Sequence, residues 1–369
     1  MCGLLGFATS GESKLSPELT VHVLNTLMQE NDGRGGDSFG LAVVSPEDEY
    51  ANTYKFVGPI RERVHSKPWN RALLDIMRIS REEKPLIVMG HNRKATMGAN
   101  TMRNAHPFQF GHIKKKNDSD VPWVIGAHNG MIRHPWKFHK HWEIKREIEV
   151  DSEVVFRGMQ VEDPSKVIGF IRGANSSVAL TYMYEDPNRV YLYRGNNPLS
   201  LSTGRNFVFW SSTEYALKRA TFGLPCGIHE LKDDTLLSLD VPKMLFRTEK
   251  APAKSEPPFQ LTSSYEDWRD NYSGHPFTDN RSYSVGSRYA YGYEGIDWGD
   301  EKADYEQEDV DYLGAAVLMH NTTLTKCETC DRKLPVWSML WMEDYCHCPY
   351  CYYFLFMLDE EFKEVKALT

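Results

Sequence analysis

The apolar positions of this chain fall into short runs bounded by glycine, proline or polar turns. Residues 3–8 (Gly-Leu-Leu-Gly-Phe-Ala) read as a buried strand, and Phe39 to Val44 as another. Leu86 to Met89 and Trp123 to Ala127 are further runs of strand length, each leading into a polar cluster. Val178 to Tyr184 and Arg189 to Tyr193 flank the turn Glu185-Asp186-Pro187-Asn188, and Phe207 to Ser212 and Thr235 to Leu239 continue the series. Helical spacing follows Ser16-Pro17, an N-cap and first-turn pair, at Leu19, Val23, Leu24 and Leu27. The stretch Val150 to Val154 predicts a second helix start. Many short strands with a few helices predict an α+β or layered αββα domain over residues 1–247.

The pattern then changes. Residues 248–315 carry Pro252, Pro257 and Pro258, followed by Ser, Tyr, Gly, Asp and Glu with almost no aliphatic residue. Such a segment cannot bury enough apolar surface to offset its conformational entropy, so it predicts a flexible linker. Its tyrosines Tyr283, Tyr289, Tyr291 and Tyr293 read as a sticky tether. The full 369 residues hold 41% hydrophobic and 12% aromatic residues, enough for a core in a chain of two domains or of one large domain with an appendage. A formal charge of −8 gives no general attraction to nucleic acid, and Lys114-Lys115-Lys116 reads as a solvated loop. Met1 is followed at once by Cys2-Gly3, the first lysine is Lys14, and Tyr352 to Leu358 is too short to span a bilayer. The expectation is a cytoplasmic protein with neither membrane nor nucleic acid as partner.

Five of the seven cysteines lie between Cys327 and Cys351, which in a reducing compartment points to metal. Cys327-Glu-Thr-Cys330 and Cys348-Pro-Tyr-Cys351 are two C-x2-C pairs with 17 residues between them. Two such turns complete a tetrahedron around zinc at ~2.3 Å per sulfur. With Leu334 to Trp341 as a strand between them, residues 316–369 predict a small zinc ribbon, its zinc structural and its surface a docking module. A redox C-x-x-C is the alternative, and Cys346 and His347 compete as ligands. Cys226 reads as a lone core or loop cysteine.

Cys2 by itself carries little information. Loss of Met1 would leave a thiol and a free α-amine on one residue, and an amine with a pKa of roughly 7.7–8.0 can accept the thiol proton. Several further clusters follow in order. They are Gly33-Arg34-Gly35-Gly36-Asp37-Ser38-Phe39-Gly40, Gly90-His91-Asn92-Arg93-Lys94-Ala95-Thr96-Met97-Gly98, Asn104-Ala105-His106-Pro107, Ala127-His128-Asn129-Gly130 and Val150-Asp151-Ser152-Glu153. Each alone is an ordinary polar turn. Together, over about two-thirds of the chain, they resemble the glutaminase domain of class II glutamine amidotransferases, the N-terminal nucleophile hydrolases that include the glutaminase half of glucosamine-6-phosphate synthase. Weaker echoes continue at Arg194-Gly-Asn-Asn-Pro-Leu and at Ser211-Ser212-Thr213-Glu214-Tyr215-Ala216-Leu217.

The resemblance implies a four-layer αββα sandwich that splits L-glutamine into glutamate and ammonia through a Cys2 thioester, without an organic cofactor. It implies Cys2 as nucleophile, its own amine as base, and the Asn129 side chain and Gly130 N–H as oxyanion hole. Arg93 would hold the α-carboxylate of glutamine and Asp151 its α-ammonium, with Thr96 assisting. Arg34 would buttress the nucleophile's loop, and His106 and His128 would be structural. Two departures stand out: Lys94 where many members carry an aromatic residue, and Met97 where they carry histidine or another polar residue. Nothing after residue 250 is patterned as the synthase domain that consumes ammonia in such proteins. The ammonia acceptor is then a separate synthase or protein partner, docked through the ribbon. A stand-alone amidase on a γ-glutamyl or peptide amide, and an inactive scaffold, are the alternatives.

Overall fold

The computed structural model describes residues 2–64, 66–113, 121–249 and 251–259, and the backbone of four short strands between 324 and 347. The strands are β1 (Gly3–Thr9), β2 (Ser38–Ser45), β3 (Tyr50–Val57), β4 (Leu86–Arg93), β5 (Phe108–Phe110), β6 (Val124–Met131), β7 (Ser177–Tyr184), β8 (Arg189–Arg194), β9 (Ser200–Gly204), β10 (Phe207–Ser211), β11 (Gly227–Glu230), β12 (Thr235–Asp240) and β13 (Leu245–Glu249). The helices are α1 (Pro17–Asp32), α2 (Lys67–Arg81), α3 (Pro135–His141), α4 (Glu153–Val161), α5 (Pro164–Gly173) and α6 (Glu214–Ala220).

Two antiparallel sheets carry these strands. One has seven in the order β11-β9-β10-β1-β4-β2-β3, the other six in the order β13-β12-β8-β7-β6-β5. Side-chain alternation explains how they stack, since successive residues of a strand point to opposite faces. Leu5 and Phe7 of β1, Phe39, Leu41 and Val43 of β2, and Leu86 and Val88 of β4 pack against α1, α2 and α6. Their neighbours Ala8, Ala42, Val44, Ile87 and Met89 face the second sheet, meeting Ile125, Met183, Val190 and Leu192. The outer face of the second sheet packs Val124, Val178 and Leu180 on Val154, Val155, Met159, Val167 and Ile171 of α4 and α5. Three apolar layers therefore separate helices, sheet, sheet and helices. Because both faces of the central strands are buried, they read in the sequence as unbroken apolar runs.

Helix α1 begins where its signals lie: the Ser16 side chain accepts from the Leu19 N–H at 3.2 Å, with Pro17 in the first turn. Helix α2 did not stand out in the sequence, yet it buries Trp69, Ala72, Leu73, Ile76, Met77 and Ile79 on one face. Its Trp69 stands edge-on to Phe39 and Phe56, which stack on each other at 4.6 Å between centroids. Residues past β13 keep contact with the domain: the Ser255 N–H donates to Gly169 O at 3.1 Å, and Phe259 meets Phe138 edge-on at 4.8 Å. Of the run read as a strand over 334–341, residues 336–339 lie outside the described residues, and its two ends are strands in separate pairs. Lys333–Pro335 (β15) pairs with Leu324–Lys326 (β14), and Leu340–Met342 (β16) with Tyr345–His347 (β17). The lysine run 114–116, the linker tyrosines and Cys327, Cys330, Cys348 and Cys351 lie outside the described residues.

Trp69→Ala should lower stability by about 3–5 kcal/mol in chemical denaturation, because it empties a packed aromatic site. A loss below about 1 kcal/mol would contradict this view of the helix–sheet core.

Candidate active site

Cys2 stands at the mouth of β1, a strand held on both edges. Leu4 pairs with His91 of β4, and Leu5 with Ser211 of β10. The Cys2 sulfur is half-buried and accepts the Lys94 backbone N–H at 3.3 Å. Burial pushes the thiol upward in pKa, and the Lys94 N–H works against it. Arg93 also lowers it and Asp151 raises it, so both lie within electrostatic reach of the sulfur. Arg34 Nε donates to the Cys2 carbonyl at 3.0 Å. The turn carrying Arg34 comes this close because residue 35 is glycine: a Cβ there would stand 2.4 Å from the Asn92 carbonyl. Beyond it, Asp37 takes the Ala95 N–H at 2.8 Å and faces Lys94 Nζ at 3.3 Å.

The second sheet contributes Asn129 and Gly130 at the end of β6. Gly130 adopts φ +146, and a Cβ would fall 1.8 Å from the Ser177 carbonyl, so no other residue fits. Its register partner Val178 donates its N–H to Asn196 Oδ1, and its carbonyl accepts from the Gly195 and Asn196 amides. The Gly130 N–H is therefore not consumed by that pair. Asn129 is buried, and its carbonyl accepts from Asn197 Nδ2 at 2.7 Å. The two sheets approach here through small residues, Leu4 packing on Ala127 and Ala179.

Asp151 is buried, with Oδ2 accepting the Ile132 N–H at 2.6 Å; among the described residues Oδ1 accepts nothing. Arg93 is buried too, but its guanidinium is occupied. It donates to the carbonyls of Met97, Gly98 and Ala99 and to Asn100 Oδ1. That loop is pinned in turn by Glu149, whose Oε2 accepts from Ala99 N at 2.8 Å and Asn104 Nδ2 at 3.0 Å. Thr96 is exposed on the same loop. Cys2, Arg93, Asp151, Asn129 and Gly130 thus gather at one end of the paired sheets.

Behind Cys2 lie three buried histidines. His91 and His106 rings stand 4.3 Å apart, and His128 bonds Ser152 Oγ at 2.8 Å. Burial lowers all three: His91 to about 3, His106 well below its ordinary value, and His128 in the same direction. They are neutral framework at neutral pH. Two contributors escaped sequence reading as individuals, Asn197 and Ser212; each sat inside a weak echo of the family pattern. Among the described residues, no group of three or more His, Cys, Asp or Glu could hold a metal ion, and no helix is long and apolar enough to cross a membrane.

No protein-family model matches the chain. It is 28% identical over 222 residues to the glutamine–fructose-6-phosphate aminotransferase (isomerizing) of Aquifex aeolicus, covering 56% of this chain and 32% of that protein. The enzyme of the same name from Sulfurisphaera tokodaii is 29% identical over 222 residues, covering 56% of this chain and 33% of that protein. The chain thus spans about a third of the length of these curated relatives. Among solved structures, glutamine phosphoribosylpyrophosphate amidotransferase from B. subtilis has a TM-score of 0.49 at 17% identity, covering 68% of this chain and 49% of that one.

The histidines set a pH dependence. Unfolded, each titrates near ~6.5; folded, each titrates lower, His91 at about 3. Both states are neutral above the unfolded value, so the stability is full there. It is lost as pH falls from there through each lowered folded-state value, for His91 down to about 3, by up to roughly 1.4 kcal/mol per pH unit for each imidazole. Denaturant unfolding should give a clearly lower stability at pH 5 than at pH 7; equal stabilities would refute the buried neutral cluster.

Proposed function

We propose that this chain is a class II glutamine amidotransferase that hydrolyses the side-chain amide of glutamine and passes ammonia to a separate acceptor. The single observation that carries the reading is the link through Ser212, whose Oγ accepts both the N–H of Leu4, two residues from Cys2, and an N–H of the Asn129 side chain across the two sheets. The sequence similarity to glutamine-dependent aminotransferases supports an amidotransferase-type domain. Removal of Met1 would free the α-amine of Cys2. That amine takes the thiol proton as sulfur adds to the amide carbon, and the oxyanion is held by Asn129 Nδ2 and the Gly130 N–H. Collapse to the thioester expels ammonia, which carries the proton held by the amine. Water, deprotonated by the same amine, then releases glutamate and restores the thiol.

Arg93 and Asp151 grip the α-carboxylate and α-ammonium in this reading. The Arg93 donors now directed at the carbonyls of 97–99 must then be exchanged for carboxylate oxygens, so glutamine binding reshapes that loop. Such charge-assisted bonds contribute ~1.5–3 kcal/mol each. The N-terminal nucleophile sandwich, the cytoplasmic location, the ribbon with its structural zinc on Cys327, Cys330, Cys348 and Cys351, and its use as a docking module for the ammonia acceptor belong to the same proposal. The zinc rests on cysteine spacing alone.

Three outcomes test the proposal. Purified protein given glutamine should release glutamate and ammonia and should lack Met1 by intact mass, and Cys2→Ala should abolish the release; full activity with Met1 retained would remove the N-terminal nucleophile. Asp151→Asn should lower kcat/KM for glutamine by roughly ten- to a hundredfold, and an N-acetylated, C-amidated glutamine should be a far poorer substrate. Equal or faster hydrolysis of the blocked compound would favour a peptide amidase instead. Metal analysis should find one zinc per chain, and a zinc-free protein with its four thiols reactive would withdraw the ribbon.

A further inference from the structure

Ser212 lies just beyond β10, fully buried, where the two sheets meet. Its Oγ accepts the Leu4 N–H at 2.9 Å and an N–H of Asn129 Nδ2 at 3.4 Å. Its own N–H donates to the Leu4 carbonyl at 2.8 Å. One hydroxyl thus joins the strand that carries the nucleophile to the side chain that would face the oxyanion. These partners are 208 and 83 residues away in the sequence. A hydroxyl oxygen has two lone pairs, and both are directed at donors here.

The chemistry of a primary amide makes this contact consequential. Asn129 Nδ2 carries two N–H groups in a fixed plane. Anchoring one on Ser212 Oγ sets the rotation of the amide and thereby the direction of the other. Asn197, donating to the Asn129 carbonyl, fixes the backbone but leaves the side chain free to turn. Helix α6 is capped by another residue, Thr213, whose hydroxyl accepts from Ala216 N at 3.3 Å, so the Ser212 hydroxyl is not required to start the helix.

We infer that Ser212 is a positioning residue: its hydroxyl aims the Asn129 amide at the oxyanion formed on Cys2 and ties that aim to the nucleophile strand. The inference rests on the proposed role of Cys2 and Asn129, but not on glutamine being the substrate. Misaiming one donor of an oxyanion hole costs part of the roughly 10²–10³ in rate that full removal costs. Ser212→Ala should therefore slow acyl transfer by about ten- to a hundredfold, with KM for glutamine within about threefold of wild type.

The test uses the full chain and two probes of Cys2, with Cys2→Ala as the blank. Acylation by p-nitrophenyl acetate passes through a tetrahedral oxyanion, whereas alkylation by iodoacetamide is a direct displacement that forms none. Ser212→Ala should depress acylation and leave alkylation within about twofold of wild type, and Ser212→Thr, which keeps the hydroxyl, should recover most of the acylation rate. Unchanged acylation, or acylation and alkylation falling together, would overturn the inference; the second result would make Ser212 a structural tie of β1. If Ser212→Thr unfolds below assay temperature, the ratio of the two rates in Ser212→Ala decides alone. A wild-type protein that ignores glutamine would remove the glutaminase reading, yet the ester and iodoacetamide rates would still decide the role of Ser212.

Discussion

Everything at the site depends on how closely the two sheets approach beside β1. Leu4 enters the space between them only because Ala127 and Ala179 present methyl groups opposite it. That contact, with the Leu4–Ser212 hydrogen bonds, sets the height of Cys2 relative to the end of β6. A larger side chain at either alanine would overpack the contact with Leu4, two residues from the nucleophile. Packed interiors do not yield smoothly to added volume.

Around that contact the first sheet acts as a rigid mount. β1 is flanked by β4 and β10 and backed by α1. The turn at Arg34 and the 97–100 loop are attached to the same mount, one through the Cys2 carbonyl and one through Arg93. Charge is distributed unevenly across it. The buried histidines are neutral framework, whereas Arg93 and Asp151 act on the thiol with opposite signs. Burial and the Lys94 N–H act on the thiol ahead of either charge.

Much of the fold was legible because central strands buried on both faces become continuous apolar runs; β1, β2, β4 and β6 each begin at or within one residue of the start of such a run. Edge strand β3 mixes Asn52, Thr53 and Lys55 with its apolar residues and gave no comparable signal. The apolar face of α2 has helical spacing and was available to periodicity, but its frequent arginines obscured it. At the site, Cys2, Asn129, Gly130 and Asp151 were legible as members of ordered short motifs. The occupied state of Arg93 was not, because it depends on the path of the 97–100 backbone. Ser212 was invisible as an individual for a related reason: its meaning comes from partners on two other strands.

The most direct measurement is peptide mapping of protein quenched in acid during turnover with glutamine. The account predicts a γ-glutamyl thioester on the first residue of the mature chain, Cys2, absent from protein quenched without glutamine. Glutamate formation with no acyl group on Cys2, or with the acyl group on another residue, would contradict it.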